Sequence, residues 1–222
     1  MIYTTAYVSL VVQILVAIID IFGLTVKVPE NKNLFRDLLK LELGVQVVEM
    51  IFYVWLIINF ALIQNITPHR YYDWILTTPT MLITLMAFLD QKHYSGIVDF
   101  LKQNTSDIIK VVSANMLMLL FGLMGELGYI QYQLAIVLGF VPFIYYYHTI
   151  YKKYIEDKKD LRIEQKGLFW FFFVVWSLYG VAAFFPYTYK NSAYNILDLF
   201  AKNFTGLFLV YIIWKNRVQT PE

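Results

Sequence analysis

The sequence predicts an all-α membrane protein, a seven-transmembrane helix bundle with its N-terminus extracellular and its C-terminus cytoplasmic. Three observations carry that prediction. Apolar residues make up 59% of the 222 positions and charged residues only 15%, where a soluble domain carries roughly 25% charge. Seven mostly apolar stretches approach the ~20 residues that a bilayer-spanning helix needs, and the basic residues fall on alternate connectors. Other classes drop out on the same arithmetic. A net charge of +2 with scattered Lys and Arg leaves no phosphate footprint and argues against a nucleic-acid partner. The lack of cysteine removes disulfides, thiol catalysis and cysteine-ligated metals. His69, His93 and His148 lie far apart, so no metal site is expected.

The first span, 3–25, lacks a positive n-region and a small-residue cleavage site, and reads as a retained helix. The second, 42–64, follows a connector holding Lys27, Lys32, Arg36 and Lys40. The third, 71–89, begins just after Arg70. Lys92, Lys102 and Lys110 precede or enter the fourth, 108–128. The fifth, 131–154, runs out into Lys152, Lys153, Lys158, Lys159, Arg162 and Lys166, which lead to the sixth, 167–186. The seventh, 191–214, ends before Lys215 and Arg217. That set holds fifteen of the eighteen basic residues, so it is expected to face the cytoplasm. Seven spans of ~20 residues consume about 140 positions. One domain over 1–222 is therefore expected, as a multi-pass protein of a plasma or host-cell membrane.

Charges inside the apolar runs are the functional candidates, because each is costly in hydrocarbon. Lys202 sits deep in the seventh span, with Asp198 four positions earlier on the same face. Asp73 lies one turn inside the third span, after Arg70. Two readings are open on chemistry alone: an ion-pair network pinning helices, or a lysine Schiff base to a carbonyl chromophore with the carboxylates as counterions.

The run Arg70-Tyr71-Tyr72-Asp73-Trp74-Ile75-Leu76-Thr77-Thr78-Pro79 resembles the third-helix signature of microbial (type 1) rhodopsins. Asp198-x-x-x-Lys202 resembles their seventh-helix signature, and Trp176-x-x-Tyr179 their sixth-helix pair. The resemblance covers the whole chain in span number, orientation and motif order. It implies retinal held on Lys202 as a covalent protonated Schiff base. Asp73 and Asp198 would be the counterion pair, with Arg70 on their extracellular side and Thr77 one turn inward. Trp74 and Trp176 would sandwich the polyene, Tyr179 would bond near Asp198, and Asn115, Met118 and Gly122 are similar to the ring-side pocket. Met81 falls where the family tunes colour, and an apolar residue there implies green absorption. Gly180 stands where many members have proline, and Ala183 at a later aromatic position.

An outward proton pump needs an acceptor and a donor. Asp73 supplies the first, but the donor position, eleven residues on, is Thr84, which delivers no proton at neutral pH. Lys190 and Asn195, rather than a glutamate pair, mark the outer end of the seventh helix. Meanwhile three helices carry polar stripes: Ser9, Gln13 and Asp20 on the first, Glu42, Gln46, Glu49 and Tyr53 on the second, and Asn203 with Thr205 on the seventh. With the first helix running inward and the second outward, Ser9, Glu49 and Asn203 fall at similar mid-membrane depth. Asp20 and Glu42 fall together nearer the cytoplasm. Such stripes spell a hydrated path, and acidic residues along it favour cations; the bland alternative is helix-to-helix hydrogen bonding. Ser9, Glu49 and Asn203 also resemble the central-gate trio of channelrhodopsins, and Thr78 and Asn115 their third–fourth helix pair, without the cysteine and aspartate usual in the algal channels. The short connectors resemble the compact rhodopsins of large algal viruses, whose first group is channel-like. The expectation is a photoreceptor acting as a light-gated cation channel, ahead of an outward proton pump and a photosensor. Hydrogen bonds among Ser9, Glu49 and Asn203 are expected to form its gate. Its partners would be the bilayer and small cations or protons, with a homo-oligomer as one possible assembly, and nothing suggests an enzyme.

Overall fold

A computed structural model describes residues 1–156 and 158–218. The regular structure among them is helical: α1 (Ile2–Thr25), α2 (Asn33–Asn59), α3 (Thr67–Leu89), α4 (Ile97–Gln103), α5 (Thr105–Glu126), α6 (Tyr132–Tyr151), α7 (Ile163–Ala182), α8 (Tyr187–Asp198) and α9 (Phe204–Lys215). The last two are halves of one rod, Tyr187–Lys215, joined through a π turn at Leu199–Asn203. Seven long rods result, with α4 as a short insert of 7 residues between α3 and α5. The single unit expected over 1–222 takes in residues 157 and 219–222, which lie outside the described residues.

Among the described residues, six of the rods are long and apolar enough to cross a membrane. The remaining one, α7, has 20 residues, about 30 Å of helix, which matches the hydrocarbon thickness. Glu164, Lys166 and its Trp and Tyr residues lower its hydropathy without shortening it. Around the ring α1 packs on α2, α2 on α3, α3 on α5, α5 on α6, α6 on α7 and α7 on α8, while α8 and α9 return to α1 and α9 also reaches α2. The burial pattern is that of a protein whose solvent is lipid. Phe22 and Ile58 are 64% and 74% exposed, whereas Asp20, Glu42, Glu49, Arg70 and Asp198 are all at 0%. Polar groups enclosed by helices and apolar groups facing outward follow from the absence of water in the bilayer core.

The predicted spans land on the seven rods, with boundary corrections. The second, expected over 42–64, runs over Asn33–Asn59. Its first two turns carry Arg36, Asp37 and Lys40, which hide them from a hydropathy reading, yet Leu34, Phe35, Leu38 and Leu39 are buried there. The apolar segment 60–63 forms the turn into α3 instead. The sixth, expected over 167–186, starts at Ile163 and ends at Ala182, four residues before Pro186, whose ring cannot continue a helix. Helix α4 lies where only a connector was expected; its N-terminal amide at Ile97 donates to Asp37 Oδ2 at 3.2 Å, which ties it to α2.

Candidate functional site

Lys202 lies in the π turn and is buried. Its Nζ donates to Asp73 Oδ2. Asp198 Oδ1 stands 3.7 Å from the same nitrogen and Glu49 Oε1 3.8 Å. The amine therefore faces three carboxylates from three helices. The sequence placed Glu49 on the polar path alone; here it also belongs to the charge cluster.

The three carboxylates differ in what holds them. Asp198 accepts from Tyr179 OH at 2.7 Å and Trp74 Nε1 at 3.4 Å on Oδ1, and from Tyr53 OH at 2.9 Å and Arg70 Nη1 at 3.3 Å on Oδ2. Asp73 has the lysine on one oxygen and no partner on the other, and neither oxygen of Glu49 has a hydrogen-bond partner. A proton reaching Asp198 would have to displace a donor, while Asp73 offers a free lone pair next to the amine. Thr77 Oγ1 bonds the Asp73 carbonyl at 3.0 Å, not its carboxylate.

Arg70 is fully enclosed. Its Nε donates to Asn191 Oδ1 at 3.1 Å and its Nη2 to the Asn191 carbonyl at 3.2 Å and to Asn195 Oδ1. The rings of Phe52 and Tyr194 each lie 5.6 Å from the guanidinium, within cation–π range. Asn195 Nδ2 in turn donates to the Ile2 carbonyl and to Thr5 Oγ1 at 3.0 and 2.8 Å, so Arg70 lies toward the end of the bundle that carries the start of α1. The sequence reading missed Asn191. Its signal was available: Asn191, Asn195, Asp198 and Lys202 recur every three or four residues along one helical face.

Beside the amine runs an apolar cavity. Lys202 and Asp198 close one part of it, and its walls include Trp74, Thr78 and Met81 of α3, Met118 and Gly122 of α5, and Trp176 and Tyr179 of α7. Of the residues expected around the chromophore, Asn115 does not line this space and meets it only through Thr78. Phe140 and Phe143 of α6 complete it, and Gly180 serves there as a notch: a Cβ at that position would lie 2.3 Å from Phe140 Cζ. Gly122 makes equal room for Tyr71 OH, at 2.4 Å from its ideal Cβ. Thr78 Oγ1 donates to Asn115 Oδ1 at 2.8 Å, which joins the α3–α5 pair singled out in the sequence. An apolar walled slot with a primary amine on it suits an apolar molecule bearing a carbonyl at one end.

The polar stripes are buried as a group on α1, α2 and the seventh rod. Gln13 Nε2 donates to Ser9 Oγ at 3.0 Å, and Gln46 Nε2 to Asp20 Oδ2 at 2.5 Å. Asn203 Nδ2 bonds the Leu199 carbonyl at 3.1 Å, and Thr205 Oγ1 the Ala201 carbonyl at 2.9 Å. The hydrogen bonds expected among Ser9, Glu49 and Asn203 are not formed: Ser9 pairs within α1, Asn203 within its own turn, and Glu49 turns to the lysine. Among the described residues, fifteen buried side-chain polar atoms lack a partner, and eight belong to Gln13, Asp20, Glu42, Gln46, Glu49 and Asn203. Thr84 Oγ1 is another.

A partly buried ion pair was not foreseen. Lys190 Nζ stands 2.8 and 3.0 Å from the two oxygens of Glu126 and donates to Tyr132 OH at 3.2 Å. Tyr132 OH donates to the Ala183 carbonyl at 2.9 Å. This clamp ties the α5–α6 turn to the end of α7 and to α8. Glu126 closes a long apolar stretch, and only the fold reveals its partner.

The family model described as bacteriorhodopsin-like protein matches residues 2–216. Among solved structures, the viral rhodopsin OLPVRII is 27% identical, with a TM-score of 0.81 over 96% of this chain and 98% of that one. The proton-pumping rhodopsin AR2 from the marine alga Acetabularia acetabulum is 17% identical, with a TM-score of 0.74 over 96% of each chain. A blue light-absorbing proteorhodopsin from Med12 is 18% identical, again with a TM-score of 0.74 over 96% of each. These last two share the fold alone with this chain. No curated protein matches.

Proposed function

The chain belongs to the bacteriorhodopsin-like protein family, multi-pass membrane proteins of the rhodopsin type, and on that premise we propose that it is a retinal-binding photoreceptor acting as a light-gated cation channel, one unit over 1–222. Lys202 is the attachment point, and Trp74, Thr78, Met81, Met118, Gly122, Trp176 and Tyr179 enclose the polyene. Bound retinal supplies light absorption and a change of shape at the lysine nitrogen. The protein's part is electrostatic. Asp198, fixed by four donors, is the standing countercharge, and Asp73, with one free oxygen, takes a proton from the nitrogen. Once that charge is lost, Glu49 at 3.8 Å has nothing to hold it toward Lys202. Water then links Ser9, Gln13, Glu49 and Asn203 to Gln46, Asp20 and Glu42, and small cations pass down their gradient.

The observation that carries this reading is the set of eight buried polar atoms on one interhelical seam without a hydrogen-bond partner from the protein. Buried polar groups are nearly always paired or hydrated, and packed helices that merely hydrogen-bond each other would leave far fewer. The basic residues on alternate connectors support an orientation with the start of α1 outside and the end of α9 in the cytoplasm. A proton pump is the second reading, favoured by the free oxygen of Asp73 and by Glu42 further along the same seam. Whole-cell photocurrents with added retinal separate the two. A current that reverses with the cation gradient supports the channel; an outward current that persists at zero gradient overturns it in favour of the pump.

A further inference from the structure

In the part of the seam beyond Lys202, α1 and α2 are joined by the hydrogen bond from Gln46 Nε2 to Asp20 Oδ2, 2.5 Å long and fully buried. It lies directly on Gly206 of α9. A Cβ at that glycine would stand 2.0 Å from Asp20 Oδ2 and 2.7 Å from Gln46 Nε2, so any other residue there would collide with the bridge. Glycine weakens a helix interior, and its presence inside α9 is accounted for by this contact. Gly206 is four residues beyond Lys202 and three beyond the π turn at Leu199–Asn203. A π turn holds one residue more than the α-helical register, and its conversion re-phases everything that follows it.

We propose that the Asp20–Gln46 bridge seated on Gly206 is the closed gate of the seam, and that the π turn couples it to Lys202. This rests on the channel reading and names its gate. A register change at Leu199–Asn203 turns α9, carries Gly206 from under the bridge and brings the neighbouring side chains against it; the bridge parts and the free oxygens of Asp20 and Gln46 line the opening. When the turn re-forms, the glycine returns and the bridge closes.

The test uses the full chain with retinal, in Gly206→Ala, Gln46→Leu and the double variant. Each single change removes the same bond, so channel closing after light-off is expected to slow by about tenfold, the effect of one buried hydrogen bond. The double variant is expected to be no slower than the slower single one, since the two changes act on one contact. Closing at the wild-type rate in both singles, or slowing that multiplies in the double, overturns the gate. Should Gly206→Ala fail to form pigment, Gln46→Leu alone carries the comparison. If the wild type passes no passive current, the channel reading fails by itself, and light-induced infrared difference spectra decide the bridge. Side-chain amide and carboxyl bands that appear on illumination and vanish in Gln46→Leu support it, and their absence from the wild type overturns it.

Discussion

The hydroxyl of Tyr53 donates to Oδ2 of Asp198 across 2.9 Å, joining residues 145 positions apart in the chain. Tyr179 does the same for the other oxygen at 2.7 Å, so two phenols from α2 and α7 grip a carboxylate of α8. Tyr53→Phe and Tyr179→Phe each remove one donor to a buried acceptor. Each is expected to cost about 2 kcal/mol, which is about 4–8 °C in the thermal bleaching midpoint for a chain of this size. A midpoint equal to the wild type in both would show that Asp198 is held without them.

Lys202→Ala removes the one amine that lines the apolar cavity among the described residues. Protein expressed with retinal is expected to show no visible band, while the same cells still insert a helical chain of normal abundance. A coloured variant would sink the assignment of the cavity as the chromophore site.

Neutralising the carboxylates at the amine is expected to change colour in the order of their contact with it. Asp73→Asn, which strips the hydrogen-bonded partner of Lys202, is expected to move the absorption maximum further than Glu49→Gln, which acts from 3.8 Å. Glu49→Gln is expected instead to show mainly in conductance or ion selectivity. Absorption spectra and photocurrents of the two variants check the order, and unchanged currents in Glu49→Gln would remove it from the path.

The partly buried pair Lys190–Glu126 predicts a non-additive pattern. Lys190→Met leaves the Glu126 carboxylate without its cation among α5, α6 and α8 and is expected to destabilise by about 1–3 kcal/mol. Combining it with Glu126→Gln removes the stranded charge and is expected to restore most of that loss. Thermal bleaching of the two variants and their double checks the cycle; a double no better than Lys190→Met would mean that the clamp acts through packing.

What the sequence could and could not reveal divides along physical lines. Lys202, Asp198 and Asp73 stand out because a charge inside an apolar run is rare, and their grouping follows from helical spacing and motif. The start of α2 was hidden because Arg36, Asp37 and Lys40 are interleaved with the buried Leu34, Phe35, Leu38 and Leu39, so average polarity misjudged the segment. The third carboxylate at the amine, the Lys190–Glu126 clamp and the seat under the Asp20–Gln46 bridge were illegible for another reason. Each is a contact between helices, set by rotation about their axes, and a single chain of letters does not record which faces meet. The missing Ser9–Glu49–Asn203 bonds belong to the same class: spacing along the helices does not fix side-chain direction, which took Glu49 to the lysine.

If all seven rods cross, the number of crossings is odd, and Met1 and Val218 are expected to emerge into different compartments. Two halves of a split fluorescent reporter fused at those ends would never meet on one molecule. A half inserted between α1 and α2 would share its compartment with a half fused beyond α9, because the Val218 amide donates to the Lys27 carbonyl at 3.0 Å.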